Sequence, residues 1–272
     1  VDWIADAKNP LTARVIVNRV WYFHFGNGIV NTPSDFGLMG DRPSHPELLD
    51  WLAVSFMENG WSLKWLQRQI VSSQAYRQAS GMNEKAFGMD ADNRLLWRMP
   101  LRRMDAESLR DSMLAVTGSL NPERGGPSYL LQKKGGGGSY IYDALDNDGP
   151  PVWRRAVYRF VVRGGGRIFM DSFDCPDPSV ATPQRSNSNT PVQALTLLNN
   201  SFVLRQSERM AERLRKDAGA DAAAQVSRAY SLLYGRSPSE KELRAGTRFI
   251  GQHSLAAYAR VLFNTNEFLY TP

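Results

Sequence analysis

A chain of 272 residues can bury a sizeable core, as one large domain or two closely packed ones, and 42% hydrophobic with 22% charged residues excludes a disordered or fibrous chain. Net charge is +6, but the 33 basic and 27 acidic residues are interleaved, with no run of five like charges, so no basic arm and no nucleic-acid partner are expected. One cysteine, Cys175, excludes an intrachain disulfide framework, a Cys-rich zinc site and a covalently attached c-type haem, and no apolar run reaches the roughly 18 residues of a membrane span.

The chain opens Val1-Asp2-Trp3 without an initiator Met and reads as a piece of a longer protein. Asn9-Pro10 is an N-cap with Pro at the first helical position, and Leu11 to Phe25 should follow as a helix. Val17, Val20, Trp21 and His24 give it one buried stripe. A turn-rich loop containing Asp35 comes next. Ser44-His45-Pro46-Glu47 reads as a capping box for a helix that ends at Asn59-Gly60. Ser62 and Asp105 should cap two further helices.

From Gly118 to Thr190 turn residues dominate. Gly135 to Ser139 matches an engineered linker as well as a natural loop, so no functional argument rests on it. Ala156 to Val162 alternates with period two and should pair with Arg167 to Met170 across Gly164-Gly165-Gly166. Helices return at a second capping box, Thr190-Pro191-Val192-Gln193, with a break at Asn199-Asn200-Ser201. Asp221, a third box at Ser237 to Glu240, and Ser254 should start the last three. The expected fold is mainly α: an irregular helical domain with a loop-rich middle and at most a small β-hairpin. Its parts are a helical 1–117, a loop-rich 118–189 and a helical 190–272, expected to form one compact unit.

No catalytic constellation can be read. His24, His45 and His253 lack metal-ligand spacing, and Asp171, Asp174 and Asp177 around Cys175 match no calcium loop, so no metal is expected. Neither a nucleophile elbow nor a phosphate loop is present. Trp153, Tyr158 and Phe160 interleave with Arg154, Arg155, Arg159 and Arg163, which suits an anion- or sugar-binding strand or a strand with one wet, basic face. Arg14, Asn18 and Arg19 share an apolar helix, and a polar network with Asp35 or Glu107 would satisfy them.

Several ordered motifs run through the chain. They are Asn18-Arg19-Val20-Trp21, Phe25-Gly26-Asn27-Gly28, Asp35-Phe36-Gly37, Pro43 to Leu52, Asn93 to Trp97, Arg102-Arg103 with Glu107, Phe173-Asp174 and Pro191 to Leu195. Together they resemble the planctomycete-specific C-terminal domain family of unknown function (domain of unknown function 1553), with Ser188 standing where members commonly have Thr. The resemblance implies an exported, periplasmic or cell-surface protein in which this domain follows others, often one like cytochrome c. It implies no activity, and no cofactor in this chain.

The resulting expectation is a non-catalytic binding or scaffolding module, contacting a polysaccharide or another anionic polymer besides the upstream domains of its parent. The rival is a polysaccharide hydrolase with dispersed carboxylates, Asp35 and Asp174 being the loop candidates. The candidate binding residues are Asp35, His45, Asp171, Asp174, Arg185 and Gln193. They are expected to converge where helix N-terminal amides and the charge of Arg185 favour an anionic group.

Overall fold

The computed structural model describes residues 2–134, 142–162 and 168–271. The fold is mainly α with a small antiparallel hairpin. It divides into two compact units, one running to Arg102 and the other from Arg103 to Thr271.

In the first unit, α1 (Thr12–Phe25), α2 (Pro46–Glu58) and α3 (Leu63–Ser72) enclose a core of Val17, Trp21, Phe25, Leu49, Leu52, Phe56, Leu66 and Ile70. The spacing of Val17, Trp21 and Phe25 is one helical turn plus a fraction, which keeps all three on one face. The expected Asn9 cap falls two residues early: Asn9 Oδ1 accepts from the amides of Leu11 and Thr12, but the cap position of α1 is Leu11, which makes no side-chain cap bond. Asn18 is fully buried, and its amide group donates to Val30 O and accepts from Val30 N at 2.9 and 2.8 Å. A side chain at Gly28 would stand 2.8 Å from that amide, so glycine is required there. Arg14 instead pairs with Asp50 at 2.7 Å, and Arg19 is exposed, so the network expected around Asp35 is replaced by these local partners.

The expected box at Ser44 and Glu47 does not form. Pro46 occupies the first helical position, which moves the cap to His45, and Ser44 instead donates its amide to Ile29 O at 2.8 Å.

The second unit packs α4 (Ala106–Val116), α5 (Pro191–Asn199), α6 (Ser201–Ala218), α7 (Ala222–Tyr234), α8 (Glu240–Gln252) and α9 (Leu255–Phe263) around a second core. Leu109, Met113, Val203, Met210, Leu214, Val226 and Phe263 are inaccessible to solvent there. Each such side chain contributes about 1.5–3 kcal/mol by leaving water. Thr190 and Gln193 form a reciprocal capping box, Asn200 caps α6 where the chain breaks, and Asp221 and Ser254 cap α7 and α9. The third box lies two residues later than its expected place, between Ser239 and Glu242, where the Ser239 hydroxyl accepts from the Glu242 amide and the Glu242 carboxylate accepts from the Ser239 amide.

The expected hairpin across Gly164-Gly165-Gly166 is corrected as well. Ala156–Tyr158 is a 3-10 turn and Ile168–Ser172 is helical, while residues 163–167 lie outside the described residues. The alternating stretch satisfies its backbone elsewhere: Tyr129 N donates to Tyr158 O at 3.1 Å and Phe160 N to Tyr129 O at 2.9 Å. Met170 and Phe173, three apart, turn into the core as one helical face. The hairpin that does form pairs β1 (Gln132–Lys134) with β2 (Tyr142–Ala144), Gln132 opposite Ala144. The Gly135 to Ser139 stretch between them falls outside the described residues. Among the described residues no helix is long and apolar enough to cross a membrane.

Gly246 on α8 sits against both neighbouring helices. A Cβ there would lie 2.5 Å from the Tyr258 hydroxyl and 2.8 Å from a Val226 methyl. Gly246→Ala is therefore expected to lower stability by about 1–3 kcal/mol despite alanine's better helix propensity. A urea titration followed by far-UV circular dichroism checks this, and an unchanged midpoint would contradict the packing described.

Candidate functional site

Of the sequence-derived candidates, Asp35 and His45 lie in the first unit and Asp171, Asp174, Arg185 and Gln193 in the second. Asp35 holds its own loop, its carboxylate accepting from Gly37 N at 2.8 Å and its carbonyl from the Thr32 hydroxyl. The same hydroxyl accepts from Asp41 N. Asp41 and His45 share the lining of a polar cavity of about 380 Å³ with Ser44, Asp92 and Arg94. His45 Nδ1 lies 2.9 Å from the Ser44 hydroxyl. Asn93, Arg94 and Leu96 of the Asn93 to Trp97 motif line this cavity. Asn93 and Leu96 take left-handed φ of 54° and 55°, and the Asp90 carboxylate accepts from the amides of Arg94 and Leu95.

In the second unit Asp174 is a hub. It takes a φ of 58°, a region that Asp tolerates better than most residues. Arg103 donates to its carboxylate at 2.6 Å, the Ser188 hydroxyl at 2.7 Å and the Ser188 amide at 2.9 Å. Gln193 donates to Asp174 and to the Ser188 hydroxyl at 3.4 and 3.1 Å. Burial is the largest influence on this carboxyl and acts to raise its pKa, but the Ser188 and Arg103 hydrogen bonds together hold it below 3.8. The structure thus joins Asp174 to Gln193. Arg185 makes a two-pronged pair with Glu107 at 2.7 and 3.1 Å, and the Cys175 thiol donates to the same carboxylate at 3.6 Å. Asp171 is exposed on the Ile168–Ser172 helix. Among the described residues no group of three or more His, Cys, Asp or Glu could hold a metal ion.

A cleft of about 660 Å³ opens in the second unit. One side is the α5 face, where Val192, Leu195, Thr196 and Asn199 recur at helical spacing. Phe169 and Phe202 lie edge to face, 5.5 Å between ring centres, and Trp153 and Phe160 add two more aromatic surfaces. The turn after β2, carrying Asp146, Asn147 and Asp148, also lines the cleft.

That turn is tied to α6 by charge. Arg205 pairs with Asp146 at 2.6 Å, Arg209 with Asp148 at 2.6 Å, and the Trp153 indole donates to Asp148 at 2.8 Å. Arg209 also stacks on the Trp153 ring at 4.4 Å. The Arg205 hydrogen bond lowers the pKa of Asp146. For Asp148, burial raises the pKa, and the bonds from Trp153 and Arg209 more than offset it.

Beneath lies Arg110, buried on α4. It donates to the carbonyls of Arg154 (2.9 Å) and Val152 and lies over the rings of Tyr129 and Phe202. Arg154, also buried, clamps the carbonyls of Pro127 and Gly125 and stacks on Tyr158, so it shapes the segment. None of the six candidate binding residues lines the cleft, although Trp153, Arg159 and Phe160 belong to the stretch read as an anion- or sugar-binding strand. The signal that pointed toward the cleft was the aromatic and arginine interleaving of residues 153–160.

Asp174→Asn tests the hub cleanly, because Asn also tolerates positive φ and keeps most hydrogen bonds. It leaves the buried Arg103 without its anion, an expected loss of about 3 kcal/mol. The depressed Asp174 pKa contributes stability that is present above pH 3.8 and lost as pH falls further. The variant should lack that acid-side slope. Denaturant midpoints between pH 2.5 and 6 read both effects, and parallel curves for the two proteins would refute the assignment.

No curated protein and no solved structure matches the chain. The family described as "PSD1: Protein of unknown function (DUF1553)" matches residues 1–250, nearly the full length. The chain with its Asp174 hub and aromatic cleft therefore belongs to the PSD1 (DUF1553) family of proteins of unknown function.

Proposed function

We propose that the second unit is a non-catalytic module that binds a polysaccharide chain in the 660 Å³ cleft. The observation that carries this reading is the lining itself, in which four aromatic rings stand beside fixed, ion-paired carboxylates, amides and guanidinium groups. A sugar ring has apolar C–H faces and a rim of hydroxyls. Aromatic surfaces suit the faces, and carboxylates, asparagines and arginines suit the rim. A volume of this size accommodates a few sugar units.

The carboxylates favour binding over hydrolysis. Glycoside hydrolysis needs one carboxyl held protonated near neutral pH. Asp146 and Asp148 are both held as anions by arginines, and Asp174 is saturated by its own partners. Hydrogen-bond acceptors fixed in that way suit recognition of hydroxyls. No cofactor enters this reading. The setting we propose is the C-terminal part of an exported planctomycete protein that also carries a cytochrome-c-like domain. It rests on the motif resemblance alone.

Calorimetric titration against a panel of neutral and acidic polysaccharide fragments, with duplex DNA as control, should give saturable binding to glycans only. Phe160 lines the cleft and is 43% exposed, so its truncation should spare the fold. Phe160→Ala is expected to weaken binding by about 2 kcal/mol, roughly thirtyfold in Kd. A reducing-end assay on the same fragments should show no product release. Release that disappears in Asp146→Asn or Asp148→Asn would replace the binding reading with the hydrolase.

A further inference from the structure

The charges of the cleft are unevenly matched. Three arginines and two aspartates line it, and both aspartates are engaged by Arg205 and Arg209. Arg110 spends its donors on the carbonyls of Val152 and Arg154, with Asp111 at 3.4 Å. Arg159 remains. Its guanidinium makes no hydrogen bond or ion pair with any described residue, and its Nε is buried without a partner.

Arg159 is nevertheless held in place. The backbone pairing of Tyr129 with residues 158 and 160 sets Tyr129 and Arg159 side by side in a parallel bridge, so their side chains leave the same face. The Tyr129 hydroxyl is buried, and it too has no hydrogen-bond partner. Arg110 stacks on the Tyr129 ring at 5.3 Å, and the two arginines repel: burial first, and then Arg159, lower the Arg110 pKa. Two cations that line the cleft, one of them without an anion, therefore adjoin a buried phenol without an acceptor.

An isolated charge or hydroxyl in such surroundings is unfavourable unless something supplies acceptors. An anionic oxygen pair would satisfy the guanidinium in forked geometry, accept from the phenol and offset the repulsion from Arg110. We propose that Arg159, flanked by the Tyr129 hydroxyl and Arg110, forms an anion subsite in the cleft, and that the preferred ligand is an acidic polysaccharide whose carboxylate or sulfate binds there. This inference rests on the reading of the cleft as a glycan site and names the class of glycan. The partly stripped, pre-positioned guanidinium gives specificity, and the aromatic surfaces supply affinity that neutral and acidic chains share.

The test compares matched pairs. The full chain is titrated with oligogalacturonate and its methyl ester, and with a sulfated galactan fragment and its desulfated counterpart. The acidic member of at least one pair should bind about tenfold more tightly, the effect of one charged hydrogen-bonded contact. The pair that shows it identifies carboxylate or sulfate. Raising the salt concentration should reduce the preference. Arg159→Gln should abolish the difference between the acidic and neutral members of the pair, and Arg159→Lys should restore part of it. Equal binding of both members of each pair by the wild type overturns the subsite and leaves the glycan cleft standing, without reliance on any variant. Retained discrimination in a folded Arg159→Gln overturns it equally. Failure of every glycan to bind overturns the subsite together with the cleft reading.

Discussion

The burial of Arg110 is the constraint on which the second unit depends. A guanidinium in the middle of a core helix is tolerable only if its donors find acceptors and its charge is shared. Here the acceptors are the backbone carbonyls of Val152 and Arg154, in a stretch with little regular structure of its own. The requirement works in both directions. The helix needs those carbonyls, and the irregular chain is fixed to the core by providing them. Asp111, the next residue, adds a second tie by accepting from Ala156 N at 2.8 Å. Once residues 152 to 156 are fixed, Trp153 is placed against Arg209 and Asp148, and Phe160 is carried to the pairing with Tyr129. The cleft follows from one buried cation.

The helical part of the fold was legible because helix ends are written locally. Ser62, Asp105, Thr190, Asp221 and Ser254 each cap within three residues of themselves. The break at Asn200 was legible for the same reason. Where neighbouring positions competed, as at Ser44 against His45 or Ser237 against Ser239, the local signal was ambiguous by one or two residues; Pro46 decided the first, and the reciprocal bonds of Ser239 and Glu242 mark the second. The strand expected at residues 156–162 failed for a different reason. Alternation says only that one side of an extended chain is apolar. It does not say whether a partner strand exists, and here a single bridge to Tyr129 sufficed. The pairing of Gln132 with Ala144 carried no apolar alternation to reveal it.

The candidate site divides along the same line. Asp174, Gln193 and Arg185 stood out in the sequence, since turn aspartates and capped helix starts are visible one by one. Their partners, Arg103, Ser188 and Glu107, lie from 5 to 78 residues away along the chain. Without those partners a hub that consumes its own charges reads the same as a site that offers them. The cleft was harder still, because Asp146, Trp153, Phe169 and Arg205 mean little separately. Several motifs that carry the family resemblance hold the structure together: Asn18 clasps Val30, Gly28 makes room for it, and Arg103 anchors Asp174.

The floor of the cleft and the turn that lines it are attached by different forces, with a mechanical consequence. The Arg110 floor is buried and hydrogen-bonded, so dissolved ions barely reach it. The turn bearing Asp146 and Asp148 is joined to α6 by partly exposed ion pairs, which ions in solution weaken. A rise in ionic strength should thus slacken one jaw and leave the other rigid. A ligand that spans both would pull the slack jaw inward. Salt and ligand therefore act in opposite senses on a single joint, and the width of the cleft becomes a property of the surrounding medium as much as of the sequence.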